Sequence, residues 1–179
     1  MANICWTNVY IKGNVAKLTA ALMDALHVDG VWDYRMTNLS RYLGIPEDCF
    51  GDAECADIFD FEGDDNEIAL VISSDYVPEL TEVKLMVEKY APDACIYYTA
   101  IEPGGEIFLT NDPEFASKYY VYFYDTGEED WYSPDDLKNM ICRSIKTEEP
   151  EGLPVLKDIF CDYIGVIIHR MEFCDIKSL

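Results

Sequence analysis

Positive charge is what this chain has least of. Its 179 residues carry 13 Lys and Arg against 35 Asp and Glu, a formal net charge of −22. A surface so dominated by one sign repels phosphates and anionic lipid, so the expected partners exclude direct nucleic-acid binding and membranes. Histidine is scarce, with only His27 and His169, which leaves a zinc site short of nitrogen ligands. His169, in an apolar stretch beside Arg170, reads as a packed or hydrogen-bonded residue. Seven cysteines occur without a Cys-x-x-Cys, and their wide spacing argues against an iron–sulfur cluster. No apolar run approaches the roughly 18 residues that cross a bilayer. Thr7, Asn8 and Lys12 interrupt what would be the apolar core of a signal peptide, so the cytoplasm is the expected location.

Catalytic signatures are missing as well. The chain has no Gly-x-Ser-x-Gly, no phosphate-cradling glycine loop and no dinucleotide fingerprint. The acidic run from Asp60 fails the calcium-loop pattern, because Asp65 stands where that loop needs glycine and Ile72 where it needs glutamate. A solvated acidic hairpin is the plain account. No metal, cofactor or catalytic residue is assigned, and the residues favour a binding protein over an enzyme.

What is present reads as one α+β domain with an extension. Half the residues are hydrophobic and 13% aromatic, enough to build a core. Cys5, Thr7, Val9 and Ile11 alternate with Trp6, Asn8 and Tyr10, which predicts a strand closed by Gly13. Asn14 is placed to cap a helix with Leu18, Ala21, Leu22, Ala25 and Leu26 along one stripe. A loop-rich insertion follows at about 27–56, with a helical turn near Leu39–Leu43. Ile58–Glu62 and Glu67–Ser73 read as strands joined by Gly63-Asp64-Asp65-Asn66. A second helix after Asp75 takes Pro78 into its first turn, presents Leu80, Val83, Val87 and Tyr90, and stops at Pro92. Cys95–Ile101 is the next strand, and Glu102-Pro103-Gly104 predicts a type II turn with Gly104 at positive φ.

This order is βαββαβ, the ferredoxin-like arrangement of one antiparallel sheet with helices on one face. The expected domain is 1–125, with 126–179 a C-terminal α/β extension packed on it. From Ile107 on, further elements are expected: strands at Ile107–Leu109 and Tyr119–Tyr124 within the domain, then, in the extension, a helix from Ser133-Pro134-Asp135-Asp136 to about Lys146, a charged linker at 148–152, a short helix at 154–162 and a strand at Ile164–Phe173. Cys5, Cys95 and Cys174 read as buried reduced thiols. Cys49 and Cys55 share a loop and offer the alternative of a disulfide or redox pair.

Three segments carry a family likeness. Ala2-Asn3-Ile4-Cys5-Trp6-Thr7-Asn8 opens the chain, Trp32-Asp33-Tyr34-Arg35 with Asn38 follows the first helix, and Tyr90-Ala91-Pro92 precedes Glu102-Pro103-Gly104. Over about residues 2–124 the chain resembles the YubB-type ferredoxin-like domain family of uncharacterised phage, plasmid and mobile-element proteins. It departs from that pattern at Leu39-Ser40-Arg41-Tyr42 and at Ser74-Asp75-Tyr76-Val77-Pro78. The resemblance implies a ferredoxin-like fold and mobile-element origin, and carries over no catalytic residue.

Two functional expectations follow. The first is a non-enzymatic protein-interaction module that meets a basic protein surface or host protein through its sheet or its acidic loops. Asp60, Glu62, Asp64 and Asp65 are the candidate contacts, and nucleic-acid mimicry is the sharper version. The alternative is a small-ligand binder or enzyme with a pocket formed by Trp32, Arg35, Tyr98 and Glu102. On the bland reading of that pair of segments, Glu102 accepts hydrogen bonds from the backbone or from Arg35.

Overall fold

The computed structural model describes residues 3–123, 125–145 and 166–176. The chain divides into two compact units, Met1–Asn111 with Cys174–Leu179, and Asp112–Phe173.

In the first unit, β1 (Ile4–Lys12) buries Cys5, Thr7, Val9 and Ile11 and turns Trp6, Asn8 and Tyr10 to the opposite face. Gly13 follows at φ 145, where a Cβ would lie 3.2 Å from the Ala94 Cα. Helix α1 (Ala16–Leu26) buries the stripe Leu18, Ala21, Leu22, Ala25 and Leu26. Val15, not Asn14, precedes the helix, and no side chain caps it. The expected loop-rich insertion is more ordered than its composition suggests. β2 (His27–Val28) and β3 (Val31–Trp32) form a hairpin about Asp29 and Gly30. Both turn residues have positive φ, 52 and 82, the combination that matches hairpin twist. Helix α2 (Met36–Leu43) ends at Gly44, whose left-handed backbone returns its N–H to the Arg41 and Ser40 carbonyls.

Short 3-10 turns at Glu47–Cys49 and Gly51–Cys55 lead into β4 (Ala56–Gly63) and β5 (Glu67–Asp75). Helix α3 spans Thr81–Tyr90. It begins later than the sequence implies because Asp75 still pairs with Ile4 and Tyr76 takes a positive φ of 63. Pro78 therefore lies ahead of the helix. β6 (Cys95–Glu102) and β7 (Ile107–Thr110) complete this part of the sheet.

The strands lie in the order β7-β6-β1-β5-β4, and each neighbouring pair is antiparallel. Side chains from all three helices and one sheet face share a single core. Leu18, Leu22, Met36, Leu39, Val83 and Met86 meet Val9, Ile11, Leu70, Ile72 and Tyr98 there. With helices over one face, the other face of β1 is left to solvent.

The second unit holds β8 (Tyr119–Phe123), β9 (Glu129–Tyr132), helix α4 (Pro134–Ile145), β10 (Val166–Arg170) and β11 (Glu172–Phe173). β10, β8 and β9 form an antiparallel sheet in that order, and Val121, Leu137, Ile141 and Ile168 make its core. Ser133 caps α4 as its sequence predicts. Its Oγ accepts the Asp136 N–H at 3.1 Å and donates to Asp136 Oδ2 at 2.6 Å. The expected strand at Ile164–Phe173 is interrupted at Met171. The expected linker at 148–152 and helix at 154–162 lie outside the described residues.

The cysteines are less uniform than predicted. Cys5 is buried, Cys95 is exposed and Cys174 half-buried, while Cys49 and Cys55 are exposed and unbonded. Cys95 pairs with Lys12 at the start of β6, where the strand emerges from the core.

Candidate functional site

The open face of the first unit's sheet is built by register. Trp6 stands opposite Ser73 and Ile101, Asn8 opposite Val71 and Thr99, and Tyr10 opposite Ala69 and Tyr97. On the far side of β5, Asp57 pairs with Ser73, Asp60 with Val71 and Glu62 with Ala69. Directly paired residues share a face. The face is therefore striped: an acidic column on β4, a column of small side chains on β5 and an aromatic column on β1. Trp6 is 40% exposed and Tyr10 41%. Strands about 4.8 Å apart put the acidic and aromatic columns roughly 10 Å from each other.

Phe59 joins this face by an irregularity. The register slips between Ile58 and Asp60, leaving Phe59 as the extra residue of a bulge. It is 71% exposed, and its ring meets Trp6 edge-on at 5.2 Å between centroids. The alternation in β1 marks Trp6 and Tyr10 as outward-facing from sequence alone. Phe59 has no such signal, because strict alternation does not register a bulge.

The acidic hairpin continues the β4 column. Asp60, Glu62, Asp64 and Asp65 are all exposed. Asp64 is also a turn-former. Its Oδ1 accepts the N–H groups of Asn66 at 2.7 Å and Glu67 at 2.8 Å, and these bonds hold its carboxyl below the ordinary carboxylate value. Among the described residues, no group of three or more His, Cys, Asp or Glu is arranged to hold a metal ion.

Trp32, Arg35, Tyr98 and Glu102 are not brought together. Trp32, on the β2–β3 hairpin, stacks on Tyr34 at 6.0 Å with 11° between ring planes. Arg35 donates through Nε to Asp33 Oδ1 at 3.0 Å, and this guanidinium keeps the Asp33 carboxyl well below its usual range. The same segment runs along the outer edge of β4: Arg35 bridges Asp57, and Ile58 N–H donates to the Tyr34 carbonyl at 2.8 Å. Arg35 thus stands about four strand spacings, roughly 19 Å, from β6, which carries Tyr98 and Glu102.

Tyr98 and Glu102 are structural. Tyr98 is buried in the core, and its hydroxyl donates to the Cys174 carbonyl at 2.8 Å. Burial raises its pKa. Glu102 is 3% exposed and accepts the N–H groups of Gly104, at 2.9 Å, and of Gly105. The turn owes its glycines to this approach. A Cβ on Gly104 would stand 2.8 Å from Asn3 Nδ2 and 2.9 Å from Glu102 Oε1. The positive φ expected at Gly104 occurs instead at Glu106, at 59, so the turn is not type II.

Comparison with protein-family models, curated proteins and solved structures finds no match.

Proposed function

We propose that this protein is a non-enzymatic interaction module whose open sheet face docks a basic protein surface. The observation that carries this is the pairing of exposed aromatic side chains, Trp6 and Tyr10 on β1 with Phe59 from the β4 bulge, with the acidic column Asp57, Asp60 and Glu62 on β4. Aromatic side chains anchor protein interfaces because they bury large area at small entropic cost. A flanking line of carboxylates steers encounter and selects a partner with lysine or arginine beside an apolar patch. The acidic column repels the phosphates of a nucleic acid whose bases an aromatic sheet could otherwise stack. The strand order β6-β1-β5-β4 supports assigning the first unit to the ferredoxin-like class, with β7 added at one edge. That assignment is the fold the family resemblance over residues 2–124 implies.

The test is capture from a lysate of the source cells at low and moderate salt, using the unmodified chain and an Asp57→Asn, Asp60→Asn, Glu62→Gln variant. The proposal expects a basic protein retained by the unmodified chain, released by salt, and lost or weakened with the variant. Capture indifferent to both salt and the three substitutions overturns it. If the captured protein itself binds nucleic acid and is displaced from it, the acidic column acts as a mimic.

A further inference from the structure

The exposed strip over β1, β5 and β4 has the footprint of a single helix. Asp57, Asp60 and Glu62 stand beside Ser73, Val71 and Ala69, and Trp6 and Tyr10 flank Ser73 and Ala69 from the other side. Alternate residues of a strand lie about 6.8 Å apart, so each column runs about 14 Å, with roughly 10 Å between the two. Ala69 and Val71 make a shallow floor between them, and at the Ser73 end the Phe59 and Trp6 rings meet at 5.2 Å. Among the described residues none of Asp57, Asp60 and Glu62 forms an ion pair. Lys12, at the end of β1, is already taken by Glu67 at 3.7 Å.

The form of the occupant follows from where hydrogen-bonding groups lie. β1 pairs with β5 and β6, and β5 with β1 and β4, so their backbone N–H and C=O groups are engaged in the ladders. An extended segment laid across this strip would bury its own backbone groups without partners. Such a segment needs a sheet edge, and the β4 edge is blunted. Ile58 N–H donates to the Tyr34 carbonyl at 2.8 Å, Arg35 bridges Asp57, and Phe61 N–H donates to Asp60 Oδ1 at 2.9 Å. A helix carries its backbone bonds internally and measures about 10–12 Å across with its side chains. About nine helical residues cover 14 Å.

We propose that this strip takes one basic amphipathic α-helix of a partner protein. Its lysines or arginines, in an i, i+4, i+8 row, lie along Asp57, Asp60 and Glu62, and a leucine or methionine stripe rests on Trp6, Phe59 and Tyr10. The proposal rests on the docking reading of the same face and gives the partner its form. Residues of an i, i+4 row stand about 6 Å apart, and long cationic stems take up the small difference from the carboxylate interval. An apolar stripe at i, i+4 and i+7 spans about 10.5 Å, enough for its side chains to reach from the Trp6–Phe59 pair to Tyr10. The net charge of −22 favours a basic helix over an acidic one and opposes a second copy of this chain as the occupant.

The experiment is an amide NMR titration of the full chain with three end-blocked peptides of about 16 residues, long enough for a helix. The first carries lysine at i, i+4 and i+8 beside a leucine stripe. The second has the same composition in an order that breaks the stripe, and the third is the first with two prolines on its outer face. Saturable shifts on β1, β4 and β5 are expected from the first, with binding at least about tenfold weaker for the other two. Trp6→Ala, and separately Asp60→Asn with Glu62→Gln, should each weaken the first peptide by about tenfold or more. The amide pair, at exposed positions, keeps the test decisive should Trp6→Ala misfold. Equal binding by the scrambled or proline-bearing peptide overturns the helix while leaving the face a basic docking site. An absence of saturable shifts on these strands up to about 1 mM also overturns it. Lysate capture that still depends on Asp57, Asp60 and Glu62 would then keep the docking reading standing without the helix.

Discussion

Replacing Glu102 tests whether a carboxylate, rather than glycine flexibility, builds the turn after β6. Two backbone N–H groups, from Gly104 and Gly105, converge on this one buried side chain. A hydrogen bond to a charged group is worth about 1.5–3 kcal/mol, and losing its partner exposes a donor that must find water. Gly104 and Gly105 are exposed, so water recovers part of the loss. Glu102→Ala should therefore destabilise the protein by about 2–3 kcal/mol, less than the roughly 3–6 kcal/mol of the simple sum of two such bonds. Glu102→Gln keeps the shape but offers one acceptor and one opposing N–H2, and should cost about 1.5–2 kcal/mol. For a chain of this size, each kcal/mol corresponds to about 2–4 °C in Tm. Urea unfolding followed by far-UV circular dichroism measures both variants against the unmodified chain. Glu106→Gln, at an exposed site of the same turn, is the control and should change stability by less than about 0.5 kcal/mol. If Glu102→Gln matches that control, the two amide bonds do not hold the turn.

Two further outcomes follow from buried titratable groups. Burial raises the Glu82 carboxyl pKa above its ordinary value of 4.5, with Glu79 and Asp52 adding to the effect. The folded state then binds this proton more tightly than the unfolded state, so stability should fall as pH rises above about 4.5 toward the raised value. Glu82→Gln should flatten that dependence and gain stability at neutral pH, whereas an unchanged slope in urea melts across pH 4–8 would contradict it. Burial also pushes the Cys5 thiol up to about 11, so iodoacetamide at pH 8 should label Cys49, Cys55 and Cys95 in the native state long before Cys5. Peptide mass spectrometry reads this, and prompt labelling of Cys5 would refute its burial.

Elements fixed by local pattern were legible in the sequence. The β1 alternation and the α1 stripe appear residue for residue, because one face of each is buried against the core. The Ser133 cap could be read because its chemistry is local. Harder to read were features set by distant partners. α3 starts late because Asp75 remains in the ladder with Ile4, which a local helix-start signal does not contain. Gly104 looked like a φ > 0 residue, yet the approach of Asn3 and Glu102 explains it. Of the candidate site, the acids at Asp60, Glu62, Asp64 and Asp65 were visible as a charge run. Their alignment with Trp6 and Tyr10 was not, because it depends on β4 and β1 both pairing with β5. Trp32, Arg35, Tyr98 and Glu102 lie in the segments that carry the family likeness, and nothing in their spacing encodes the sheet order that separates them.

The docking face is tested most directly by the affinity of a captured partner for a Trp6→Ala, Tyr10→Ala, Phe59→Ala variant, compared with a Met23→Ala, Leu85→Ala variant at exposed positions of α1 and α3, over the opposite sheet face. Isothermal titration should show the first weakened by at least about 30-fold, as loss of an aromatic anchor worth about 2 kcal/mol implies. The second should bind like the unmodified chain. Undiminished binding by the first variant, with its fold confirmed by circular dichroism, would place the interface elsewhere and contradict the account.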